Sequence, residues 1–342
     1  MASRRALIVG IGGQDGSYLT EFLLAREYEV FGLVRRATSE LPVRVAHLDG
    51  RITLLRGDLL DQLSLIRAIE HARPDEIYNF AGTSFIPESW QQPALTIEST
   101  GMGVVRLLEA IRLTDPAVRF YQASTSEIFG RPLSAPQDEA TPPDPQNPYA
   151  VAKLLGHLMT ERYREGFGMY AVSGILYNHE SPRRGLEFVT RKITHAAAAI
   201  ALGRVQELSL GNLGARRDWG FAGDYVRGMW QMLQEPEPDT YVLATGVQHS
   251  VQDVVETAFG HVGLDWRSCV RLDEQFVRPQ DDRAELVGDA SRARERLGWR
   301  PSVTFEGLIR LMVDADVTRL DERLEHAPRL DWPAEQLPSV AG

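Results

Sequence analysis

Two residue types are scarce in this chain of 342 residues, which has one cysteine and two lysines. The lone Cys269 cannot form an internal disulfide, so nothing in the sequence indicates an oxidising compartment. Of the 37 basic side chains, 35 are arginine, and the two lysines are Lys153 and Lys192. A coding bias toward arginine would explain the ratio, but the two positions that keep lysine are candidates for a chemical role.

Long apolar runs and an excess of positive charge are also missing. No apolar run approaches the about 18–20 residues that span a bilayer, and the first residues lack the apolar core and cleavage site of a signal peptide. The formal net charge of -10 disfavours a dedicated nucleic-acid-binding protein, which needs a basic face. We therefore expect a globular cytoplasmic protein that binds neither a membrane nor a nucleic acid.

Short apolar runs rich in β-branched residues alternate with longer amphipathic segments through the first half of the chain. This alternation predicts an α/β fold, a Rossmann-type doubly wound parallel sheet followed by a smaller C-terminal substrate-binding domain. Strands are predicted at residues 6–10, 29–34, 51–56, 76–80, 119–123 and 170–176. Helices are predicted at residues 17–26, 63–71, 100–112 and 149–166.

The second half is punctuated by proline and glycine, which predicts loops and short elements. We expect the nucleotide-binding sheet domain over residues 1–177, with a later return of the chain around 217–246. The smaller domain is expected mainly over 178–330, and 331–342 reads as a tail. An alanine-rich stretch at 195–202 predicts a buried helix.

Gly10, Gly13 and Gly16 have the spacing G-x-x-G-x-x-G where the first predicted strand ends and the chain leads to the first predicted helix. In that position they allow a tight turn and the close approach of a pyrophosphate to the helix N-terminus. Gln14 and Asp15 lie within the turn and belong to the same predicted cofactor site. A plain turn is the alternative, but the strand-turn-helix context favours the cofactor.

The end of the second predicted strand carries Arg35 and Arg36, where an acidic residue would bind the ribose of NAD. Two guanidinium groups suit a 2′-phosphate, so the sequence favours NADP over NAD, with a solvated basic pair as the alternative. Asp58 and Leu59 follow the third strand and are predicted to meet the adenine.

Tyr149 and Lys153 are four residues apart on a predicted helix and therefore share a face. A nearby ammonium is expected to lower the pKa of the phenol, which then accepts a proton from an alcohol as hydride leaves the same carbon. A pair on the helix surface is the alternative.

Thr125 and Glu127 follow the fifth strand at the edge of the sheet where ligands bind. A hydroxyl there can share a proton with Tyr149, and Glu127 can act as a general acid or base at a neighbouring carbon.

Together, the glycine turn, Ser-Thr-Ser-Glu and Tyr-x-x-x-Lys resemble the extended short-chain dehydrogenase/reductase group. Longer segments resemble the GDP-mannose 4,6-dehydratase family more specifically, and this resemblance runs over about residues 5–301. These segments are 13–19, 34–36, 122–127, 178–185, 188–193 and 217–220.

This resemblance implies a lyase that converts GDP-D-mannose to GDP-4-dehydro-6-deoxy-D-mannose and water through one bound NADP. Tyr149, aided by Lys153 and Thr125, would deprotonate O4 while C4 gives hydride to the cofactor. Glu127 would remove the C5 proton and return a proton as the C6 hydroxyl leaves as water, and hydride would go back to C6. The family also implies a homodimer or homotetramer.

The resemblance assigns further residues to the nucleotide sugar, and we predict no metal site. The implied substrate-binding residues are Ser84, Asn178, Lys192, Arg217 and Arg278. Two other functions stay open at this point. One is an NADP-dependent nucleotide-sugar epimerase or reductase, and the other is a non-catalytic NADP-binding protein.

Overall fold

The structure is a computed structural model that describes residues 3–35, 41–82, 84–273, 275 and 285–322. Within these residues the strands, in chain order, are β1 (Arg5–Val9), β2 (Glu29–Val34), β3 (Ile52–Arg56), β4 (Glu76–Asn79), β5 (Arg119–Ala123), β6 (Ala171–Leu176), β7 (Asn178–Glu180), β8 (Leu208–Leu210), β9 (Arg216–Phe221), β10 (Thr240–Leu243), β11 (Gln248–Ser250) and β12 (Val270–Leu272). Seven of them form one parallel sheet in the order β10-β6-β5-β4-β1-β2-β3.

Helices cover both faces of this sheet, so its strands are buried on both sides and read as continuous apolar runs. In chain order the helices are α1 (Gln14–Leu24), α2 (Gln62–Ala72), α3 (Ile86–Gln91), α4 (Pro93–Thr96), α5 (Gly103–Thr114), α6 (Pro148–Phe167), α7 (Val189–Ala201), α8 (Ala222–Met232), α9 (Val251–His261), α10 (Trp266–Cys269), α11 (Ser291–Leu297) and α12 (Phe305–Asp321). One core contains apolar residues of α1 and α8, and a second contains those of α2 and α5.

Strand β1 lies inside the sheet, with β2 and β3 on one side and β4, β5 and β6 on the other. The strand order therefore reverses between β1 and β4. In an open parallel sheet such a reversal opens a crevice at the carboxyl ends of the strands, where ligands bind. The glycine turn follows β1, and Thr125 and Glu127 follow β5, so both groups reach this edge.

After β6 the chain leaves the main sheet and later returns to it. Strand β10 pairs in parallel with β6, with Val242 opposite Ile175. Between and after these strands, two small sheets form, in the orders β11-β9-β7 and β12-β8. Apolar residues of α7, α9 and α12 share a separate core beside them.

The predicted Rossmann-type sheet is confirmed, and the six predicted strands fall within one residue of β1 to β6. The first helix begins three residues earlier than predicted, at Gln14, because Gly13 already serves as its N-cap. Helix α5 begins at Gly103, after a π-helical turn at Ile97–Met102. In the described part of the chain, no helix is long and apolar enough to cross a membrane.

The expectation of loops and short elements in the second half is wrong for α7, α9 and α12. Helix α12 alone has 17 residues. The prolines and glycines punctuate the connections, while the helices between them are held by the core that they share. The buried helix predicted at 195–202 is confirmed as the second part of α7, which ends one residue earlier, at Ala201.

Candidate active site

One cavity of about 770 Å³ opens at the carboxyl edge of the main sheet, next to β7, β9 and α7. This volume is in the range of sites that bind small molecules and cofactors. It brings together most of the residues predicted from the sequence. Those that line it are Gly10, Gly13, Gln14, Asp15, Ser84, Thr125, Glu127, Tyr149, Lys153, Asn178, Lys192 and Arg217.

The glycine turn needs its glycines for two close approaches. Gly10 has a φ of +94°, and a Cβ on it would lie 3.0 Å from the backbone nitrogen of Ala81. A Cβ on Gly16 would lie 2.4 Å from the carbonyl oxygen of Gly10. Gly13 is the N-cap of α1 and makes no side-chain cap at this end. A helix N-terminus of this kind favours an anion, and the pyrophosphate site at this turn stays a prediction.

Several predicted residues do not line the cavity. Gly16 lies beneath the turn, packed on Gly10. Arg35 is exposed at the end of β2. The carboxylate of Asp58 accepts a hydrogen bond of 3.0 Å from the Leu60 nitrogen, and Leu59 is buried. Arg36 and Arg278, the other two predicted residues, lie outside the described residues.

Helix α6 carries Tyr149 and Lys153 into the cavity. It begins at Pro148, and the side-chain oxygen of Asn147 accepts a 2.8 Å hydrogen bond from the Ala150 nitrogen. Tyr149 and Lys153 are both buried, with 8% and 6% of their surface exposed. Lys153 Nζ donates a 2.9 Å hydrogen bond to the carbonyl oxygen of Ala123, at the end of β5, and lies 5.9 Å from the centre of the Tyr149 ring.

The predicted lowering of the Tyr149 pKa is wrong for the protein alone. Burial raises the pKa of Tyr149 to about 12, while its hydrogen bond with Thr125 opposes this rise. Burial lowers the pKa of Lys153 to about 8, against the opposing effect of the negative Asp15. Both shifts arise because burial removes these side chains from water and disfavours their charged forms. The Lys153 ammonium also bonds to the Ala123 carbonyl.

Thr125 and Glu127 lie near Tyr149. Glu127 is on the 3₁₀ turn Ser126–Ile128, and Thr125 is the N-cap residue of that turn. The Thr125 hydroxyl caps this turn by accepting a 3.3 Å hydrogen bond from the Glu127 nitrogen. The Asn147 amide donates a 3.4 Å hydrogen bond to a carboxylate oxygen of Glu127. Asn147 therefore contacts both the start of α6 and the carboxylate, and it holds the two parts of the predicted catalytic group together.

The cavity also carries two predicted cations. Lys192 Nζ donates a 2.7 Å hydrogen bond to the Ser209 carbonyl, and burial lowers the pKa of Lys192. Arg217 lies on β9 and donates a 2.7 Å hydrogen bond to the Arg216 carbonyl. Convergent cations in an acidic protein suit a diphosphate.

Arg184, Glu187 and Asn212 also line the cavity, but the sequence did not single them out. The Arg184 guanidinium lies 3.5 Å from the centre of the Phe188 ring and 3.2 Å from the carboxylate of the buried Glu180. Its positive charge lowers the pKa of Tyr149, although burial prevails. Arg184 belongs to the segment 178–185 that carries the family resemblance, and this membership was the sequence signal that could have identified it as a site residue.

Among the described residues, no cluster of three or more His, Cys, Asp or Glu could hold a metal ion.

A buried Tyr/Lys pair beside a glycine turn, on a seven-stranded parallel sheet, defines an enzyme of the extended short-chain dehydrogenase/reductase type. The Thermus thermophilus UDP-glucose 4-epimerase, in complex with NAD, shares this fold with a TM-score of 0.79 and 28% identity, over 91% of this chain and 98% of that one. The RMD structure from Pseudomonas aeruginosa, complexed with NADPH, is similar in fold, with a TM-score of 0.77 and 22% identity over 92% and 99% of the two chains.

Sequence comparison gives the particular family. The model of the GDP-mannose 4,6 dehydratase family matches residues 7–312. GDP-mannose 4,6 dehydratase 1 of Arabidopsis thaliana is 48% identical over 324 residues, which cover 91% of this chain and 89% of that protein. The human GDP-mannose 4,6 dehydratase is 44% identical over 339 residues, 91% of each chain. The chain belongs to the GDP-mannose 4,6-dehydratase family, which confirms the predicted family and enzyme class.

The contact between Gly16 and Gly10 leads to a first prediction. Gly16→Ala should lower the free energy of unfolding by about 3 kcal/mol, because the added methyl group would overlap a backbone carbonyl that has little room to move. Chemical denaturation followed by circular dichroism measures this.

Gly166→Ala is the matched control. A Cβ on Gly166, in α6, meets nothing within 4 Å, so this variant should be unchanged or up to about 1 kcal/mol more stable. Equal stability changes in the two variants would contradict the close packing of the turn.

Proposed function

We propose that this enzyme converts GDP-D-mannose to GDP-4-dehydro-6-deoxy-D-mannose and water. Its membership of the family, and the names of its relatives, support the substrate and the lyase reaction. The observation that carries the proposal is that one cavity holds Tyr149, Lys153 and Thr125 together with the carboxylate of Glu127. The first three suffice for oxidation of an alcohol, and the added carboxylate supplies acid-base chemistry at a second carbon.

The proposed cofactor is NADP. The glycine turn fits a pyrophosphate, since Gly10 and Gly13 carry no side chain and no described side chain caps the end of α1. The T. thermophilus relative, in complex with NAD, supports the nicotinamide class. Arg35, exposed at the end of β2, supports recognition of a 2′-phosphate. When bound, NADP would supply reversible hydride exchange between the sugar C4 and C6, so the reaction would need no external reductant.

Tyr149 is the proposed base at the sugar O4. The Thr125 hydrogen bond and the positive charge of Arg184 favour its phenolate, while burial and the charge of Glu127 oppose it. Burial lowers the pKa of Lys153 to about 8, so its ammonium releases a proton more readily than that of an exposed lysine. The Ala123 carbonyl fixes the position of its ammonium.

Glu127 is the proposed acid and base at the neighbouring carbons. A ketone at C4 makes the C5 proton acidic, and the Glu127 carboxylate takes that proton. The resulting carboxylic acid gives that proton to the C6 hydroxyl, which leaves as water. When C6 is reduced, C5 gains a proton from solvent, and the proton that Tyr149 took from O4 balances it when Tyr149 releases it to solvent. The hydrogen bond from Asn147 orients the carboxylate for these transfers.

Lys192 and Arg217 are proposed to bind the diphosphate of the nucleotide sugar, with Asn178 and Ser84 beside it. Arg278 keeps this predicted role, although it lies outside the described residues. The division into a sheet domain over 1–177 with a return around 217–246 and a substrate domain mainly over 178–330 is also proposed. Assembly into dimers or tetramers and a cytoplasmic location stay predictions.

The reaction itself is the second prediction. Purified protein incubated with GDP-mannose and NADP, without a reductant, should form the 4-keto-6-deoxy product, identified by NMR and by the mass of one lost water. Tyr149→Phe keeps the ring and its packing and should slow the reaction at least about 100-fold, because the proton acceptor is gone.

The other outcomes separate the rival functions. A C4 or C5 epimer of the substrate, or a reduced sugar, would indicate an epimerase or a reductase. Binding of NADP without any change in the sugar would indicate a non-catalytic protein.

The third prediction concerns Glu127. Glu127→Gln should slow solvent-deuterium incorporation at C5 by about 100-fold or more, because the amide accepts no proton, while nucleotide binding changes little. NMR of the product formed in D₂O measures this incorporation. Glu187→Gln is the matched control, since it removes another carboxylate of the same cavity to which no step is assigned. Unchanged exchange in Glu127→Gln would refute its role.

The fourth prediction tests the cofactor. Arg35→Ala should raise the Kd for NADP about tenfold and leave the Kd for NAD nearly unchanged, because only NADP carries a phosphate for the guanidinium. Fluorescence titration measures both constants. Arg51→Ala is the control, since Arg51 is exposed at the opposite end of the neighbouring strand β3. Equal increases for the two cofactors would exclude the 2′-phosphate assignment.

A further inference from the structure

The first turn of α1 is joined to strand β7, from which it is far away in sequence. Gln14 Nε2 donates a 3.0 Å hydrogen bond to the His179 carbonyl, and the Ser181 hydroxyl donates one of 2.8 Å to the Gln14 side-chain oxygen. His179 Nε2 lies 2.9 Å from a carboxylate oxygen of Asp15. The function proposed above uses the turn for the cofactor and Asn178 for the sugar nucleotide. It gives His179 no role.

The partners of His179 determine its charge. Its Nδ1 lies 2.8 Å from the Tyr177 carbonyl oxygen, which only accepts hydrogen bonds, so Nδ1 carries a proton. Its Nε2 faces the Asp15 carboxylate, which also accepts, so Nε2 carries a second proton. The ring is therefore an imidazolium. It stacks on Tyr225, with ring centres 4.6 Å apart and an angle of 20°, and an aromatic face stabilises such a cation.

The position of Asp15 makes this charge necessary. Asp15 lies in the first turn of α1, the end of the helix that is available to an anion. An unpaired carboxylate there would repel a pyrophosphate. The negative charge of Asp15 also raises the pKa values of Tyr149 and Lys153. The imidazolium of His179 is the partner that offsets this charge, and the side chains of His179 and Asp15 are only 11% and 18% exposed.

We propose that His179 is a positioning residue whose imidazolium neutralises Asp15 and holds β7 against the glycine turn, so that the cofactor site accepts an anion next to the sugar site. The proposal rests on the proposed function for its ligand, NADP. It acts through Asp15 and does not require His179 to touch the substrate.

Charged and titratable groups from several elements face the His179 ring. They are Asp15 on α1, Tyr225 on α8 and Arg184 after β7, and Asp15 in turn acts on Tyr149 and Lys153 of α6. Burial, and less strongly Arg184, lower the pKa of His179, but Asp15 together with the Tyr177 carbonyl raises it, and the net shift is upward. Burial raises the pKa of Asp15, but His179 together with Gln14 and Arg184 lowers it, and the net shift is downward. The stabilisation by the pair is therefore lost as pH rises through the His179 pKa, or falls through the Asp15 pKa.

The fifth prediction has two arms, and the first needs no ligand. NMR titration of the histidine ring protons, with the His179 signal assigned by its absence in His179→Gln, should give a pKa above 6.5. In Asp15→Asn this pKa should fall, because the buried ring then loses the attraction of the carboxylate and keeps only the Tyr177 carbonyl to oppose burial. The exposed pair His261 and Asp314, 2.6 Å apart, serves as the internal control and should not respond to Asp15→Asn. An unchanged His179 pKa in Asp15→Asn would overturn the proposal.

The second arm measures NADP binding. His179→Gln should raise the Kd for NADP about tenfold, since it leaves a carboxylate unpaired at the anion site. The double variant Asp15→Asn/His179→Gln should recover most of this loss, whereas His261→Gln should leave the Kd unchanged. A double variant that binds as weakly as His179→Gln would show that His179 acts through packing alone, and would overturn the proposal.

The two proposals fail separately. Rescue of NADP binding by the double variant, without any dehydration of GDP-mannose, would remove the proposed function and keep the role of His179. If the unaltered protein does not bind NADP, the proposed cofactor is wrong. The pairing of His179 with Asp15 is then tested only by the NMR titration, which needs no ligand.

Discussion

The close approach of the glycine turn to the chain that follows β4 fixes where the rest of the cavity lies. A single methyl group on Gly10 would meet the backbone at Ala81, so the turn passes over the end of β4 with no space between them. From there α1 starts in one direction only, and its first turn meets β7. On the other side of β4, strand β5 delivers Thr125 and Glu127, and its last carbonyl holds Lys153. The tight turn therefore lies between the two parts of the cavity, with β7 on one side and the residues after β5 on the other.

Three cationic side chains in and around this cavity are paired with carboxylates. Arg184 pairs with Glu180, His179 with Asp15, and Arg183 with Glu21 at 2.8 Å. Arg183 also lies 4.2 Å from the centre of the Tyr18 ring, so α1 is held at its side as well as at its first turn. Burying these charges costs free energy that pairing offsets in part, and removal of one partner would leave the other charge buried without compensation. An acidic protein thereby keeps an anion site without an excess of positive charge at its surface.

The sequence predicted what depends on local patterns. The glycine spacing, the Tyr149/Lys153 register and the six first strands are properties of a few neighbouring residues, and each was located within one or two positions. Contacts between distant segments were beyond that reasoning. The pairing of Asp15 with His179 joins residues 164 positions apart. The pKa of Tyr149 was predicted in the wrong direction because burial is set by the whole fold, whereas the i, i+4 spacing with Lys153 is visible in the sequence. Helix α12 was missed because its stability comes from a core shared with α7 and α9.

Strand β10 has a consequence for how the molecule is made. It completes the main sheet by covering the edge of β6, whose six residues are all buried. During synthesis the first six strands leave the ribosome well before residue 240, and until then β6 presents unpaired N–H and C=O groups and apolar side chains. The nascent chain is therefore most vulnerable to aggregation while β7 to β9 are being made. A fragment that ends after β6 would keep that open edge permanently. The first half of the chain, up to β6, is therefore not expected to fold as an independent domain.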